Sequence, residues 1–242
     1  IPCYNEANRL PIKEFIEYLG SSKNIDICFV NDGSKDKTIN IIENIKSQYP
    51  DKVLLVNLEN NVGKAEAVRI GILEASKWKC FDYVGFMDAD LATPLKEIDV
   101  FKKYILEYPE CKAFLGSRIQ RLGSNIKRSA VRHYFGRVFA TFASLTLGIA
   151  VYDTQCGAKI FETKIAEKIF LEPFYSRWLF DIEFIFRLIK LYGKKEVLNK
   201  VIEIPLQNWT EKGASKISPF YVFKVPFELL KIRNKYKNYG PK

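Results

Sequence analysis

Tyr83-Val84-Gly85-Phe86-Met87-Asp88-Ala89-Asp90 runs from a short apolar stretch into two carboxylates two positions apart. Such a stretch, bounded by polar residues, reads as a buried strand. The acidic pair then sits at the C-terminal end of that strand, the edge of an open α/β sheet at which ligands bind. Carboxylate oxygens suit hard divalent cations, and a metal so held bridges to phosphates. Alone, Asp-x-Asp ahead of Pro94 also fits a strand end followed by a helix cap. Its neighbours in the sequence separate the two readings.

Outward from this strand, apolar runs alternate with helical periodicity. Ile1-Pro2-Cys3 reads as the tail of a strand whose start lies upstream, so the N-terminus is read as truncated. A helix over residues 11–18 is expected to stop at Gly20, and residues 25–30 read as a strand that ends in the turn Asn31-Asp32-Gly33-Ser34. Ile39, Ile42, Ile45 and Tyr49 recur at helical spacing up to Pro50. Residues 53–58 form a third strand, and a helix follows the loop Asn60-Asn61-Val62-Gly63 as far as Ser76. Pro94 marks a helix start, and residues 112–116 a fifth strand. Further on, helices are predicted over 132–147, 164–170 and 181–191, a strand over 196–204, and an amphipathic basic tail from Ser218. This order predicts an α/β protein with a single, Rossmann-like, mainly parallel sheet flanked by helices. The expected division is one domain over residues 1–217 and a helical tail over 218–242.

Composition narrows the function classes. The chain has 242 residues and a formal net charge of +10. The charge is uneven: between Glu110 and Asp153 there is no acidic residue, but there are Lys112, Arg118, Arg121, Lys127, Arg128, Arg132 and Arg137. From Lys212 onward only Glu228 is acidic. Such patches attract phosphates or anionic headgroups, or simply keep a face solvated. The five cysteines include no C-x-x-C pair and there is one His, which leaves little for zinc and points to reduced thiols in the cytoplasm. No signal-peptide pattern opens the chain, and the apolar run over 138–152 is too short for a membrane span. No G-x-G-x-x-G follows a strand, and Gly63-Lys64 lacks the rest of a P-loop, which argues against dinucleotide-linked dehydrogenases and P-loop enzymes. A D-x-D-x-T phosphatase fails because the fifth position is Ala92. No nucleic-acid motif accompanies the basic patches, so nucleic acid is not an expected partner.

Four polar loops follow successive strands: Tyr4-Asn5-Glu6, Asp32-Gly33-Ser34, Asn61-Val62-Gly63-Lys64 and Asp88-Ala89-Asp90. In an open sheet these ends share one crevice. Glu6 and Asp32 offer acceptors for a base or ribose, and Lys64 at a helix start can face a phosphate. Ile1-Pro2-Cys3-Tyr4-Asn5-Glu6, Val30-Asn31-Asp32-Gly33-Ser34-Lys35-Asp36, Asn61-Val62-Gly63-Lys64 and Asp88-Ala89-Asp90-Leu91 resemble the inverting family 2 glycosyltransferases of the GT-A fold. Asp153-Thr154-Gln155-Cys156-Gly157-Ala158-Lys159-Ile160-Phe161, Arg177-Trp178-Leu179-Phe180-Asp181-Ile182-Glu183 and Trp209-Thr210-Glu211-Lys212-Gly213-Ala214-Ser215-Lys216 are similar to the dolichyl-phosphate β-glucosyltransferase branch.

The resemblance implies inverting transfer of a sugar, glucose from UDP-glucose in this branch, to a polyprenyl phosphate of the dolichyl type. Alternatives within the family are a mannosyl or GlcNAc donor, or a sugar-hydroxyl acceptor; outside it stands a nucleotide-sugar-binding protein without catalysis. By the same resemblance Pro2, Tyr4, Glu6 and Asp32 would hold the nucleoside and Val30 the base. Asp88, Ala89 and Asp90 would meet the sugar nucleotide, with Asp90 the main ligand of a Mg2+ or Mn2+ ion and Asp88 beside it. Arg118 would face donor sugar or acceptor phosphate, and Lys216 the diphosphate. Asp181 and Glu183 stand where relatives with hydroxyl acceptors carry a catalytic base. Arg128 and Arg132, in the acid-free stretch, are the candidates for gripping the acceptor phosphate, which guanidinium pairs bidentately. Two departures stand out: Thr210 replaces an Arg usual in mannosyltransferases, and Ala92 cannot serve as a further metal ligand. A polyprenyl acceptor stays in the bilayer, so peripheral attachment to the cytoplasmic face of a membrane is expected, through Phe220, Tyr221, Phe223, Phe227, Leu229, Leu230 and Ile232 among the basic residues of the tail.

Overall fold

The computed structural model describes residues 1–212 and 224–237, and for Val131 the backbone alone. Its first half is a parallel ladder in the order β1 (Pro2–Cys3), β2 (Ile27–Asp32), β3 (Val53–Leu58), with Val30 opposite Pro2 and Ile27 opposite Val53. β2 is buried along nearly its whole length, the pattern of a strand covered on both faces. The covering helices are α1 (Ile12–Ser21), α2 (Thr38–Gln48) and α3 (Lys64–Trp78). α1 runs through Gly20 instead of stopping there. One glycine costs a helix about 1 kcal/mol, which the burial of Phe15 and Leu19 outweighs.

The second ladder holds β4 (Tyr83–Met87), β7 (Ala158–Glu162), β5 (Ala113–Ser117) and β8 (Val201–Pro205), in that spatial order. Among the described residues β7 makes the only antiparallel pairings, with β4 on one side and β5 on the other. A short third ladder pairs β6 (Asn125–Lys127) with β9 (Asn208–Thr210). The sheet is therefore mainly parallel, as expected, but among the described residues its hydrogen bonds fall into three ladders instead of one. β1 contributes two residues, and one of them, Pro2, has no N–H to give.

Other elements shift from their expected places. Pro94 precedes α4 (Glu97–Glu107) by a turn, in which its carbonyl accepts the Glu97 N–H at 2.9 Å. The strand expected over 196–204 splits into α8 (Val197–Lys200) and β8. An apolar run that short fits either structure by periodicity, and the Val197 N–H bonds back to the Gly193 carbonyl. The helices α5 (Ala130–Leu147), α6 (Thr163–Ile169) and α7 (Phe180–Tyr192) appear where periodicity placed them.

Two apolar cores flank the sheet. One gathers Phe15, Phe29, Ile42, Ile45 and Phe101. The other is built on Phe161, Phe170, Phe180 and Phe184, whose rings meet at centroid distances of 5.3 to 6.5 Å. Part of the basic tail belongs to this second core: α9 (Val225–Tyr236) buries Leu229, Ile232 and Tyr236. The expected boundary at 217/218 lies outside the described residues.

Candidate active site

The polar strand ends open on a cavity of about 820 Å³. Pro2, Tyr4, Glu6, Asp32, Lys64, Asp88, Ala89, Asp90, Arg118, Arg128, Arg132 and Asp181 all line it, so the fold brings most of the expected residues to one place.

The two carboxylates after β4 are held differently. Asp88 Oδ1 receives the Lys64 ammonium at 2.5 Å. Burial alone would lower the Lys64 pKa, but the Asp88 carboxylate raises it and keeps the cation charged. Asp88 Oδ2 lies where a Cβ on Gly157 would sit, at 1.9 Å, so only glycine admits that carboxylate. Asp90 Oδ1 caps its own loop by accepting the Ala92 N–H at 3.0 Å. Its Oδ2 receives Arg9 Nη2 at 3.1 Å. Arg9 went unremarked in the sequence, where only its place just after the Tyr4-Asn5-Glu6 loop hinted at a role. Asn5 and Leu91 both take φ of 50°, a conformation uncommon away from glycine and concentrated at functional sites. Both lie in the loops that carry these groups.

Opposite stands the basic wall. The Arg118 fork is closed on Asp153, with Nε to Oδ2 at 2.7 Å and Nη2 to Oδ1 at 2.8 Å. Arg118 lines the cavity with its guanidinium already engaged by Asp153. The Asp153 carboxylate is only 8 % exposed, and a buried charge needs a partner. Arg118 also lies over the Trp209 ring at 5.4 Å. Arg132 pairs with Glu211 at 3.1 Å. Among the described residues Arg128 makes no ion pair, and its Nε is buried without a hydrogen-bond acceptor. Burial and the neighbouring Arg118 charge lower its pKa.

Asp181, which lines the cavity, meets the buried Lys159 at 2.7 Å. Lys159, from β7, is 1 % exposed and also donates to the Cys156 carbonyl. Burial raises the Asp181 pKa while Lys159 and Lys64 oppose that shift. Nothing in the local pattern marked Lys159, because β7 was not read as a strand.

Two expected residues, Val30 and Glu183, do not line the cavity, and a third, Asp32, lines it with its carboxylate already engaged. Val30 is 1 % exposed, and its side chain packs on α3 where Gly71 leaves room. Glu183 is fully buried and accepts Ser176 N–H at 2.7 Å, Tyr175 N–H at 3.1 Å and the Tyr236 hydroxyl at 3.1 Å. It fixes the segment ahead of α7 and does not face the cavity. Asp32 lines the cavity but has both oxygens engaged: Val62 N–H at 2.7 Å, Gly63 N–H at 3.0 Å and Asn61 Nδ2 at 2.9 Å. Its first work is to hold the loop before α3. Lys216 lies outside the described residues.

A crevice of this build, with an acidic pair after the fourth strand and a basic wall facing it, agrees with the comparison to known families. The model described as "Glycosyl transferase family 2" matches residues 1–170. The chain belongs to this family. The glycosyltransferase is 32% identical over 256 residues to the dolichyl-phosphate beta-glucosyltransferase of Homo sapiens, which covers 98% of the chain and 74% of the human protein. It is 32% identical over 252 residues to the enzyme of that name from Dictyostelium discoideum, covering 98% of the chain and 73% of that protein. Among solved structures it resembles glucosyl-3-phosphoglycerate synthase from Mycobacterium tuberculosis in complex with Mn2+ and uridine-diphosphate-glucose. The TM-score is 0.69 at 14% identity, over 100% of this chain and 78% of that one. At that identity the likeness speaks for the fold, which is GT-A.

Proposed function

We propose that this glycosyltransferase moves glucose from UDP-glucose to a polyprenyl phosphate of the dolichyl type, with inversion at the anomeric carbon. The observation that carries the reading is the cavity itself: a carboxylate pair on one side and an arginine wall on the other, in a chain whose relatives are named dolichyl-phosphate beta-glucosyltransferases. Pro2, Tyr4 and Glu6 form the nucleoside end, with Asp32 holding the loop beside it. Asp88, Ala89 and Asp90 border the sugar and diphosphate, and Lys216 is assigned to the diphosphate.

The donor set fits a divalent cation. Cationic side chains already stand against both carboxylates, Lys64 at Asp88 and Arg9 at Asp90. Among the described residues no three His, Cys, Asp or Glu side chains gather into a ligand set, so two carboxylates would leave the rest of an oxygen shell to diphosphate and water. Asp90 would be the principal ligand and Asp88 the second. When bound, Mg2+ or Mn2+ neutralises the charge that develops on the leaving diphosphate.

In the transfer an acceptor phosphate oxygen attacks the anomeric carbon, and the bond from that carbon to the diphosphate oxygen breaks. UDP leaves with the bonding pair. The acceptor is already ionised near neutral pH, so positioning and charge neutralisation matter more than a strong base. Arg128 and Arg132 hold the acceptor phosphate. Asp181, paired with Lys159, orients the donor or acceptor.

Attachment to the cytoplasmic face of a membrane belongs to the same proposal. Among the described residues no helix is long and apolar enough to cross a membrane. The decisive experiment offers UDP-glucose, UDP-GlcNAc and GDP-mannose separately, with short-chain polyprenyl phosphate and Mg2+ or Mn2+. Glucolipid from UDP-glucose alone, lost with chelator and reduced about a hundredfold in Asp90→Asn, is expected. Product from another donor would overturn the glucosyl assignment.

A further inference from the structure

The sequence placed membrane contact in the C-terminal tail, but among the described residues the longest run of exposed apolar side chains lies on α5. Tyr134, Phe135, Val138, Phe142 and Leu145 are 70, 59, 54, 47 and 68 % exposed. At 100° per residue they fall within a stripe about 100° wide. The opposite side of the helix is fixed, because Ala140, Ala143 and Leu147 are buried. α9 packs against α5 and adds exposed Phe227 and Leu230. A contiguous apolar face of this kind marks an interaction site.

We propose that the outer face of α5, with the adjoining face of α9, is the surface on which this chain docks to an anionic lipid bilayer. The proposal deepens the acceptor reading above and rests on it. Three observations favour lipid as the occupant. The stripe is continuous with the cavity, because Phe135, Val138 and Phe142 also line it. A lipid-borne phosphate can therefore enter the cavity while its chain remains along α5. The charge is complementary to anionic headgroups: α5 lies in the acid-free stretch with Lys127, Arg128, Arg132 and Arg137, and α9 adds Lys231, Arg233 and Lys235 against Glu228. No described helix can cross a bilayer, so an amphipathic helix of this kind lies in the plane of the interface. A second copy is the poorer occupant. Pairing this face with itself sets one predominantly basic surface against another, and like charges across an interface are unfavourable.

The test is co-sedimentation of the full chain with phosphatidylcholine vesicles, with and without phosphatidylglycerol. The parent is expected to bind the anionic vesicles more tightly. Tyr134→Ser/Leu145→Ser, two positions that do not line the cavity, should lower that partition by about tenfold, equivalent to ~1.4 kcal/mol. The same variant should transfer glucose to a short-chain, water-soluble polyprenyl phosphate as the parent does. Equal vesicle binding by parent and variant would overturn the docking surface, as would a parent that binds neither vesicle. A parent dimer that the variant converts to monomer, with vesicle binding unchanged, would assign the face to a second copy. Vesicle binding that responds as expected, without transfer to the soluble acceptor, would instead overturn the proposed activity and leave the surface standing.

Discussion

Asp153 shows how a residue with an ordinary sequence context acquires a demanding environment. Burial would raise its pKa, but the Arg118 guanidinium and N–H bring it down from 3.8 to about 2. A carboxyl depressed by folding contributes stability above its unfolded pKa and loses it as pH falls through the folded one. The shift corresponds to about 2 kcal/mol. Urea unfolding should therefore show Asp153→Asn less stable than the parent at neutral pH. The part of that gap due to ionisation should disappear as pH drops from about 4 to about 2. A gap that stays constant over that window would show that packing, not charge, carries it. Asp88 makes the complementary point. Its carboxylate fits only because residue 157 lacks a Cβ, so one glycine far along the chain sets the geometry of the acidic pair.

At the scale of elements, α7 separates two residues that looked equivalent. Asp181 and Glu183 are two positions apart, and residues so spaced on a helix do not face the same way. Asp181 turns to the cavity, and Glu183 to the segment 175–176 and to Tyr236. Asp181→Asn should lower transfer about a hundredfold with the fold kept. Glu183→Gln should cost about 1–3 kcal/mol of stability while kcat per folded molecule stays near the parent's. Steady-state kinetics beside urea titrations separate the two, and a matched loss of kcat in both variants would contradict this division. β7 matters as much. Inserted antiparallel between β4 and β5, it delivers the buried Lys159 to Asp181, and Gly157, just before it, lies against Asp88.

Across the whole molecule, the cavity is a meeting of distant segments: the C-terminal ends of β1, β2 and β4, with the loops after them, bring Glu6, Asp32, Asp88 and Asp90, and the segment after β5 brings Arg118, Arg128 and Arg132. Arg128 is the arginine of this wall with a buried, unaccepted Nε, and burial together with Arg118 disfavours its charge. A dianionic acceptor relieves both penalties. Arg128→Met is therefore expected to raise KM for polyprenyl phosphate by about tenfold or more, as loss of a charge-assisted hydrogen bond of ~1.5–3 kcal/mol implies. The KM for UDP-glucose should stay unchanged. Equal rises for both substrates would place Arg128 elsewhere in the reaction.

Much of this was legible along the chain. Apolar runs with turn residues at their ends marked β3 and β4 to the residue, because a short apolar stretch bounded by turn residues is the pattern of a strand. Tyr4-Asn5-Glu6, Asp32, Lys64 and Asp88-Ala89-Asp90 were placed together, because successive parallel strands end on one side of a sheet. What only the tertiary structure decided was which of these groups remain turned to the cavity. Asp32 and Arg118 line it but are engaged by loop N–H groups and by Asp153, and Glu183 is withdrawn into the core. The partners of Asp90 and Asp181, Arg9 and Lys159, lie 81 positions and 22 positions away in the chain. Local periodicity reports which face of an element is apolar. It carries no information on which distant charge will satisfy a buried one, because that pairing is set by close packing of elements and by the cost of leaving a buried charge alone.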